Sequence, residues 1–117
     1  NVVIGPATSG ASAASIPALT SAGVPMISPS GTQTNLVEND KGEVQEYFFR
    51  TTFTDGYQGE IMAKYATENF SAKKVVLYFD NSSDYGKGVA EAFKKASQEK
   101  LFQKLHLLLV IKTSKLH

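Results

Sequence analysis

Thirty-six further residues follow Asn1 before the first ionisable side chain appears at Glu38. A stretch that long without Asp, Glu, Lys, Arg or His reads as a segment covered on both faces, as in an α/β sheet. From Glu38 to Glu99 acids and bases are mixed, and beyond Glu99 every ionisable residue is Lys or His. The sum is a net charge of only +1, which gives no electrostatic case for nucleic acid or a membrane surface. At 117 residues, 42% of them apolar, the chain is expected to form at most one small domain. It has no cysteine, so disulfides are excluded, and no apolar run approaches the ~18 residues of a membrane span.

Local pattern predicts the element order β-α-β-loop-β-α-β-α. Val2–Ile4 ends a short strand that Gly5-Pro6 stops. Ser9 is expected to cap a helix running to about Ala22, with Gly23 following, and Pro17 should kink or break it. Val24–Ser28 forms the next strand, and SPSGTQTN, residues 28–35, is a polar loop. EYFFRTTF, residues 46–53, alternates as a strand or extended crossover. Thr54 and Asp55 begin a helix to about Asn69, with Tyr57, Ile61, Tyr65 and Phe70 roughly on one face. VVLYF, residues 75–79, has the uninterrupted apolar character of a buried parallel strand. DNSSDYGKG, residues 80–88, is expected to be a loop, with a helix from about Val89. A doubly wound α/β arrangement is the economical reading.

In such sheets ligands gather at strand C-termini and at the N-termini of the helices that follow. Three hydroxyl-bearing loops qualify: ATSGAS, SPSGT and DNSSDYG. Free N–H groups near Ser9 and Gly10 can hold a carboxylate or phosphate, or Ser9 is simply a cap. The dipole part of such anion binding is worth ~0.3–1 kcal/mol. SPSGT is either a polar turn or a carbonyl-and-hydroxyl face to the same ligand. Tyr85 is either a half-exposed loop residue or an amphipathic lid with a hydroxyl to donate. Asp80 and Asp84 are weak evidence for metal. A phosphate-binding P-loop would need glycine at position 81 and Ser or Thr after Lys87, where the chain has Asn81 and Gly88; no G-x-G-x-x-G follows either strand. Asn69-Phe70-Ser71 and Asn81-Ser82-Ser83 match the glycosylation pattern, a short match that is commonly accidental. The only histidines are His106 and His117, which leaves catalysis without a foothold, and no cofactor is indicated.

IGPATSGASAASIPALTSAGVPMISPSGT, then FRTTFTDGYQGEIMAKYA, then KKVVLYFDNSSDYGKGVAEAFKKA, closely resembles the substrate-binding proteins of branched-chain amino acid (Leu/Ile/Val-type) ABC transporters over about residues 2–99. The resemblance implies a partial type 1 periplasmic-binding-protein fold, Rossmann-like, with a parallel sheet and flanking helices. Residues 1–52 would be the later part of lobe one and the crossover, and residues 53–100 the beginning of lobe two. It implies that Ser9, with nearby N–H groups, binds a ligand's α-carboxylate. It implies likewise that the Ser30 carbonyl receives the α-ammonium, that the Thr32 hydroxyl contacts the same end, and that Tyr85 closes over the ligand from lobe two. The implied role is extracytoplasmic capture of a branched-chain or related amino acid, in the periplasm or on a surface lipoprotein, for delivery to a membrane permease. The alternatives are a sensor or receptor ligand domain of the same fold, or a doubly wound enzyme.

Departures from the family pattern shape further expectations. The chain opens on Asn1-Val2 without initiator methionine or signal segment, which reads as a fragment or processed product. The family's first strand–helix units and most of lobe two, with its acidic partner for the ammonium, are missing, so weak or absent amino-acid binding is expected. Residues 101–117, LFQKLHLLLVIKTSKLH, do not resemble the family. A one-nucleotide shift of reading frame, with permitted codons, converts them to IVSETTFVAGDKDFQA, which does; the alternative is a natural basic, leucine-rich terminus. As it stands, the spacing predicts one long helix from Val89 to about Val110. Unpartnered leucines and open sheet edges then predict self-association.

Overall fold

A computed structural model describes residues 1–39, 41–98 and, for the backbone, 106–113. Instead of the single domain expected from length, the chain divides into two compact units, Asn1–Thr54 and Asp55–His117.

The first unit is a three-stranded parallel sheet in the order β1-β2-β3, formed by β1 (Val3–Ile4), β2 (Met26–Ser28) and β3 (Phe48–Arg50). Val3 pairs with Met26, and Met26 with Phe48, so the apolar residues fall in register. Helix α1 (Ser9–Ser21) connects β1 to β2, and a 3-10 turn (Thr34–Leu36) follows the loop after β2. Their common product is one small core of Ile16, Met26, Leu36 and Phe48, flanked by Val3, Ala13, Leu19 and Val37. Coverage on both faces, expected from the neutral sequence, is not found: Ile4 is 78% exposed and Ile27 41%. Small and hydroxyl residues, rather than buried strands, account for much of that neutrality.

Two local expectations are corrected here. The cap of α1 is Thr8, not Ser9; the Thr8 hydroxyl accepts from Ala11 N and its backbone is extended, while Ser9 is already the first helical residue. Nor does Pro17 end the helix, which continues to Ser21. The proline removes one donor, and that single loss is tolerated within thirteen residues.

In the second unit α2 (Asp55–Glu68) precedes β4 (Lys74–Asp80), α3 (Asp84–Gln98) and β5 (His106–Thr113). β4 and β5 pair in parallel, with one register shift between Val75 and Val76. Ala63, Phe93 and Ala96 form the core, with Ala72, Val75 and Leu77 packed against it. The helices cross so closely that a Cβ on Gly59 would lie 2.5 Å from the Ala92 Cβ and 2.6 Å from the Phe93 nitrogen. Only glycine fits this crossing. The buried side of α2 is therefore its small-residue side, Asp55, Gly59 and Ala63. The aromatic face picked out by spacing is left outside, with Tyr57 59%, Tyr65 54% and Phe70 72% exposed.

Three further expectations fail in this unit. β4 is not buried on both faces, since Val76 is 53% and Tyr78 69% exposed. α3 starts at Asp84 rather than Val89, so Tyr85 belongs to its first turn and not to a loop. Its two early glycines read as turn residues, yet Gly86 serves close approach: a Cβ there would stand 2.6 Å from the Asp80 carbonyl oxygen. The long helix to Val110 is not formed, because α3 ends at Gln98 and His106–Thr113 is a strand on β4. Leu107–Ile111 is an unbroken apolar, partly β-branched run, and the hydrogen bonds offered by β4 outweigh the helix preference of its leucines. Residues 99–105 and 114–117 lie outside the described ones.

Candidate functional site

In the first unit the loop after β2 is fastened to the start of α1 through hydroxyls. Ser9 Oγ accepts from Thr32 N at 3.3 Å and from Gln33 N at 3.2 Å. Ser28 Oγ accepts from Gly31 N at 2.9 Å and donates to the Pro6 carbonyl at 2.9 Å. Ser12 Oγ adds contacts to Pro6 O at 3.3 Å and Ser28 Oγ at 3.4 Å. Ser12 and Ser28 are fully buried, Ser9 is 5% and Thr32 9% exposed. These are buried hydroxyls with partners, so their burial carries little penalty. A Cβ on Gly31 would meet Ser28 Oγ at 2.8 Å and Leu36 Cδ1 at 3.0 Å, which explains the glycine of SPSGT.

The carbonyl side of the same loop is held from β3. Arg50 Nη1 donates to the carbonyls of Gln33 and Gly31, and Thr52 Oγ1 donates to Gly31 O at 3.2 Å. Ser9 and Thr32 are thus brought together by a direct hydrogen bond. Ser30 is exposed, its hydroxyl donating to Ala7 O at 2.6 Å, and among the described residues no donor reaches its own carbonyl.

The chemistry follows from who donates. Ser9 Oγ already accepts two N–H groups, so its remaining capacity is to give its proton away. Among the described residues the N–H groups of Ser9 and Gly10, at the first turn of α1, also find no acceptor. One hydroxyl and two amides that can only donate make a place for an anion. The open Ser30 carbonyl is a place for a cation or N–H donor.

Tyr85 belongs to the second unit, 44% exposed. Its hydroxyl lies 3.0 Å from Gln58 Nε2 and 3.3 Å from Gln58 Oε1, so α2 tethers it in place. Asp80 is occupied locally: its Oδ1 accepts from Ser82 N at 2.8 Å and Ser82 Oγ at 2.7 Å. Asp84 pairs with Lys87 at 2.9 Å. The Asp84 hydrogen bond and charge hold the Lys87 pKa above its ordinary 10.5. Among the described residues no three metal-ligating side chains gather.

Sequence reasoning missed the buttress. Arg50 and Thr52 support the loop from about seventeen to twenty-one residues away along the chain. The available signal was that Arg50 is the lone charge in FFRTTFT. Gln58 left no comparable signal.

Parallel α/β units with a donor-only helix start are a layout suited to holding a small anionic ligand. The profile of the Periplasmic binding protein family matches residues 1–107, and the chain belongs to that family. Its fold is accordingly part of the type 1 periplasmic-binding-protein fold. Among curated relatives it is 38% identical over 92 residues to the Leu/Ile/Val-binding protein BraC3 of Rhizobium johnstonii, covering 79% of this chain and 24% of that protein. Among solved structures it is similar to the branched-chain amino acid substrate-binding protein LivJ of Streptococcus pneumoniae in complex with isoleucine. That likeness has a TM-score of 0.81 at 45% identity, over 97% of this chain and 29% of LivJ. The leucine-binding protein LivK of Thermotoga maritima gives a TM-score of 0.75 at 28% identity, over 97% and 29%. The chain therefore spans about a quarter of the length of the curated relatives it matches.

Proposed function

We propose that this chain carries part of an extracytoplasmic receptor that binds a branched-chain or related amino acid and passes it to an ABC-transporter permease, without covalent chemistry. Residues 1–52 serve as the later part of lobe one with its crossover, and residues 53–100 open lobe two. The observation that carries the reading is the bonding of Ser9, whose oxygen is filled by Thr32 N and Gln33 N so that its proton is left for a carboxylate. Beside it the Ser30 carbonyl takes the ammonium and Thr32 supports the same end of the ligand. Tyr85, held by Gln58, presents its ring to the ligand from lobe two. The printed ligands of the relatives, isoleucine for LivJ and Leu/Ile/Val for BraC3, support the class of substrate. The family is one of substrate-binding proteins, which supports stoichiometric binding over turnover.

Weak affinity for this chain belongs to the same proposal, since it spans about a quarter of the length of the curated relatives. Self-association belongs to the same reading and draws on the exposed α2 face of Tyr57, Ile61 and Tyr65. Saturation-transfer NMR with isoleucine tests the site. Isoleucine gives a signal that Ser9→Ala removes, and isoleucinamide, which lacks the carboxylate, gives none. Equal signals from the two compounds, or a Ser9→Ala chain that binds unchanged, would overturn the reading.

A further inference from the structure

Phe48 and Arg50 lie two residues apart in β3, so alternation puts both on one side of the strand. Phe48 joins the core, while Arg50 and then Thr52 meet the loop after β2. Both donate to one acceptor, the Gly31 carbonyl, Arg50 Nη1 at 3.4 Å and Thr52 Oγ1 at 3.2 Å. That carbonyl and the Thr32 N–H belong to a single planar peptide group. The N–H end of the same group donates to Ser9 Oγ at 3.3 Å. The bonds thus run in one direction, from Arg50 and Thr52 into Gly31 O, then from Thr32 N into Ser9 Oγ, with the Ser9 proton last in line. Hydrogen bonds chained in this sense strengthen one another by ~10–30% per bond. Water does little to screen the chain, since Ser9 is 5% and Thr32 9% exposed.

Given Ser9 as the donor to a carboxylate, the reading on which this step rests, we infer that Arg50 is a positioning residue whose charge, assisted by Thr52, acts through the Gly31–Thr32 peptide to make the Ser9 hydroxyl a stronger donor. Holding the loop's shape does not call for a charge. Ser28 Oγ already takes the Gly31 N–H and Ser9 Oγ the Gln33 N–H, so the amide side of the loop is pinned without Arg50. Partial burial also costs a charged group more than a neutral donor. What the guanidinium adds is permanent positive charge at the carbonyl end of the one peptide that points at Ser9. A carboxylate gains from each increment in the polarity of its donor. The anion is then held by uncharged groups whose strength is set from behind, by the chain's one arginine.

The test uses the full 117-residue chain and the substitutions Arg50→Gln, Arg50→Lys and Thr52→Val. Glutamine can still donate to a carbonyl but carries no charge, whereas lysine keeps the charge and loses the planar fork. In the ligand-free chain, NMR follows the Thr32 amide proton and the Gly31 carbonyl carbon. Arg50→Gln moves both toward weaker hydrogen bonding, Thr52→Val moves them less, and Arg50→Lys leaves them near the parent values. Gly31 amide exchange, which reports the Ser28 bond, stays unchanged and shows that the loop keeps its shape. Isoleucine is then titrated, and its apparent Kd rises roughly two- to fivefold in Arg50→Gln but stays close to the parent in Arg50→Lys. Equal losses in the two variants would reduce Arg50 to a loop brace and overturn the inference. So would a Thr32 amide that Arg50→Gln leaves unmoved. Should Arg50→Gln unfold the unit, Thr52→Val carries the same test, and an unmoved Thr32 amide there overturns it too. A parent chain that gives no isoleucine signal would sink the receptor reading instead, with the ligand-free resonances still deciding the relay: shifted upholds it, unshifted ends it.

Discussion

The two units of this chain are held together by different means. In the first, a four-residue apolar cluster is supplemented by buried hydroxyls and by Arg50, which tie the loop after β2 at both its amides and its carbonyls. In the second, cohesion rests on a three-residue apolar cluster, one helix crossing and the pairing of β4 with β5. A polar-bonded loop holds its shape with little surface buried, because each hydrogen bond fixes a direction. An apolar pair of helices fixes only area, and it stays open to further partners. The first unit completes the bonding of its loop internally and leaves donors open around Ser9, whereas the second holds its helices by apolar contact.

The largest test of this contrast is Phe93→Ala. It removes the principal side chain of the second core and is expected to cost about 3–5 kcal/mol, seen as loss of that unit's transition in thermal or denaturant unfolding. An unfolding curve that barely moves would show that the second unit is not held by this cluster. Next comes Ser28→Ala, which leaves the buried Gly31 N–H without an acceptor and is expected to cost about 1–3 kcal/mol. Its distinctive reading is faster amide exchange at Gly31 and Thr32 with β4 unaffected. Were it to destabilise as much as the phenylalanine deletion, the division between polar-bonded and apolar units would fall. The smallest effect is that of Asp84→Asn. Lys87 is held above 10.5 by the Asp84 hydrogen bond first and its charge second, at a solvent-accessible site. A raised base contributes stability that is complete below the unfolded-state pKa and is lost as pH rises through the folded value, so only alkaline conditions reveal it. The variant should return the Lys87 pKa toward 10.5 in a carbon-detected NMR titration, with no change of fold. An unshifted lysine would assign the effect elsewhere.

What could be read without coordinates was local. Val3–Ile4 followed by Gly5-Pro6 and a run of small hydroxyl residues marks a strand entering a helix, and SPSGT marks a loop, because turn chemistry acts over a few residues. What could not be read depended on distant partners. Arg50 looks like an ordinary strand charge until the Gln33 and Gly31 carbonyls are placed beside it. The glycines at 59 and 86 suggest flexibility in sequence, whereas each marks a place where another backbone or helix comes too near for a Cβ. Leu108 and Lys112 continue the helical spacing of Leu101 and Leu105, yet residues 106–113 form a strand because β4 supplies an edge to pair with. The aromatic spacing of α2 correctly located a face but not its direction, since helix–helix contact in this unit is made by Gly59 and Ala63.

The uncharged opening of the chain has a consequence for how its site responds to acidity. No side chain from Asn1 to Val37 can gain or lose a proton in the ordinary working range, and the loop's one supporting base, Arg50, stays protonated throughout. The donors around Ser9 thus keep the same count and the same polarity in acid and in alkali. Any change of protonation there would have to come from a bound anion, because the protein's own donors form a fixed electrostatic mould.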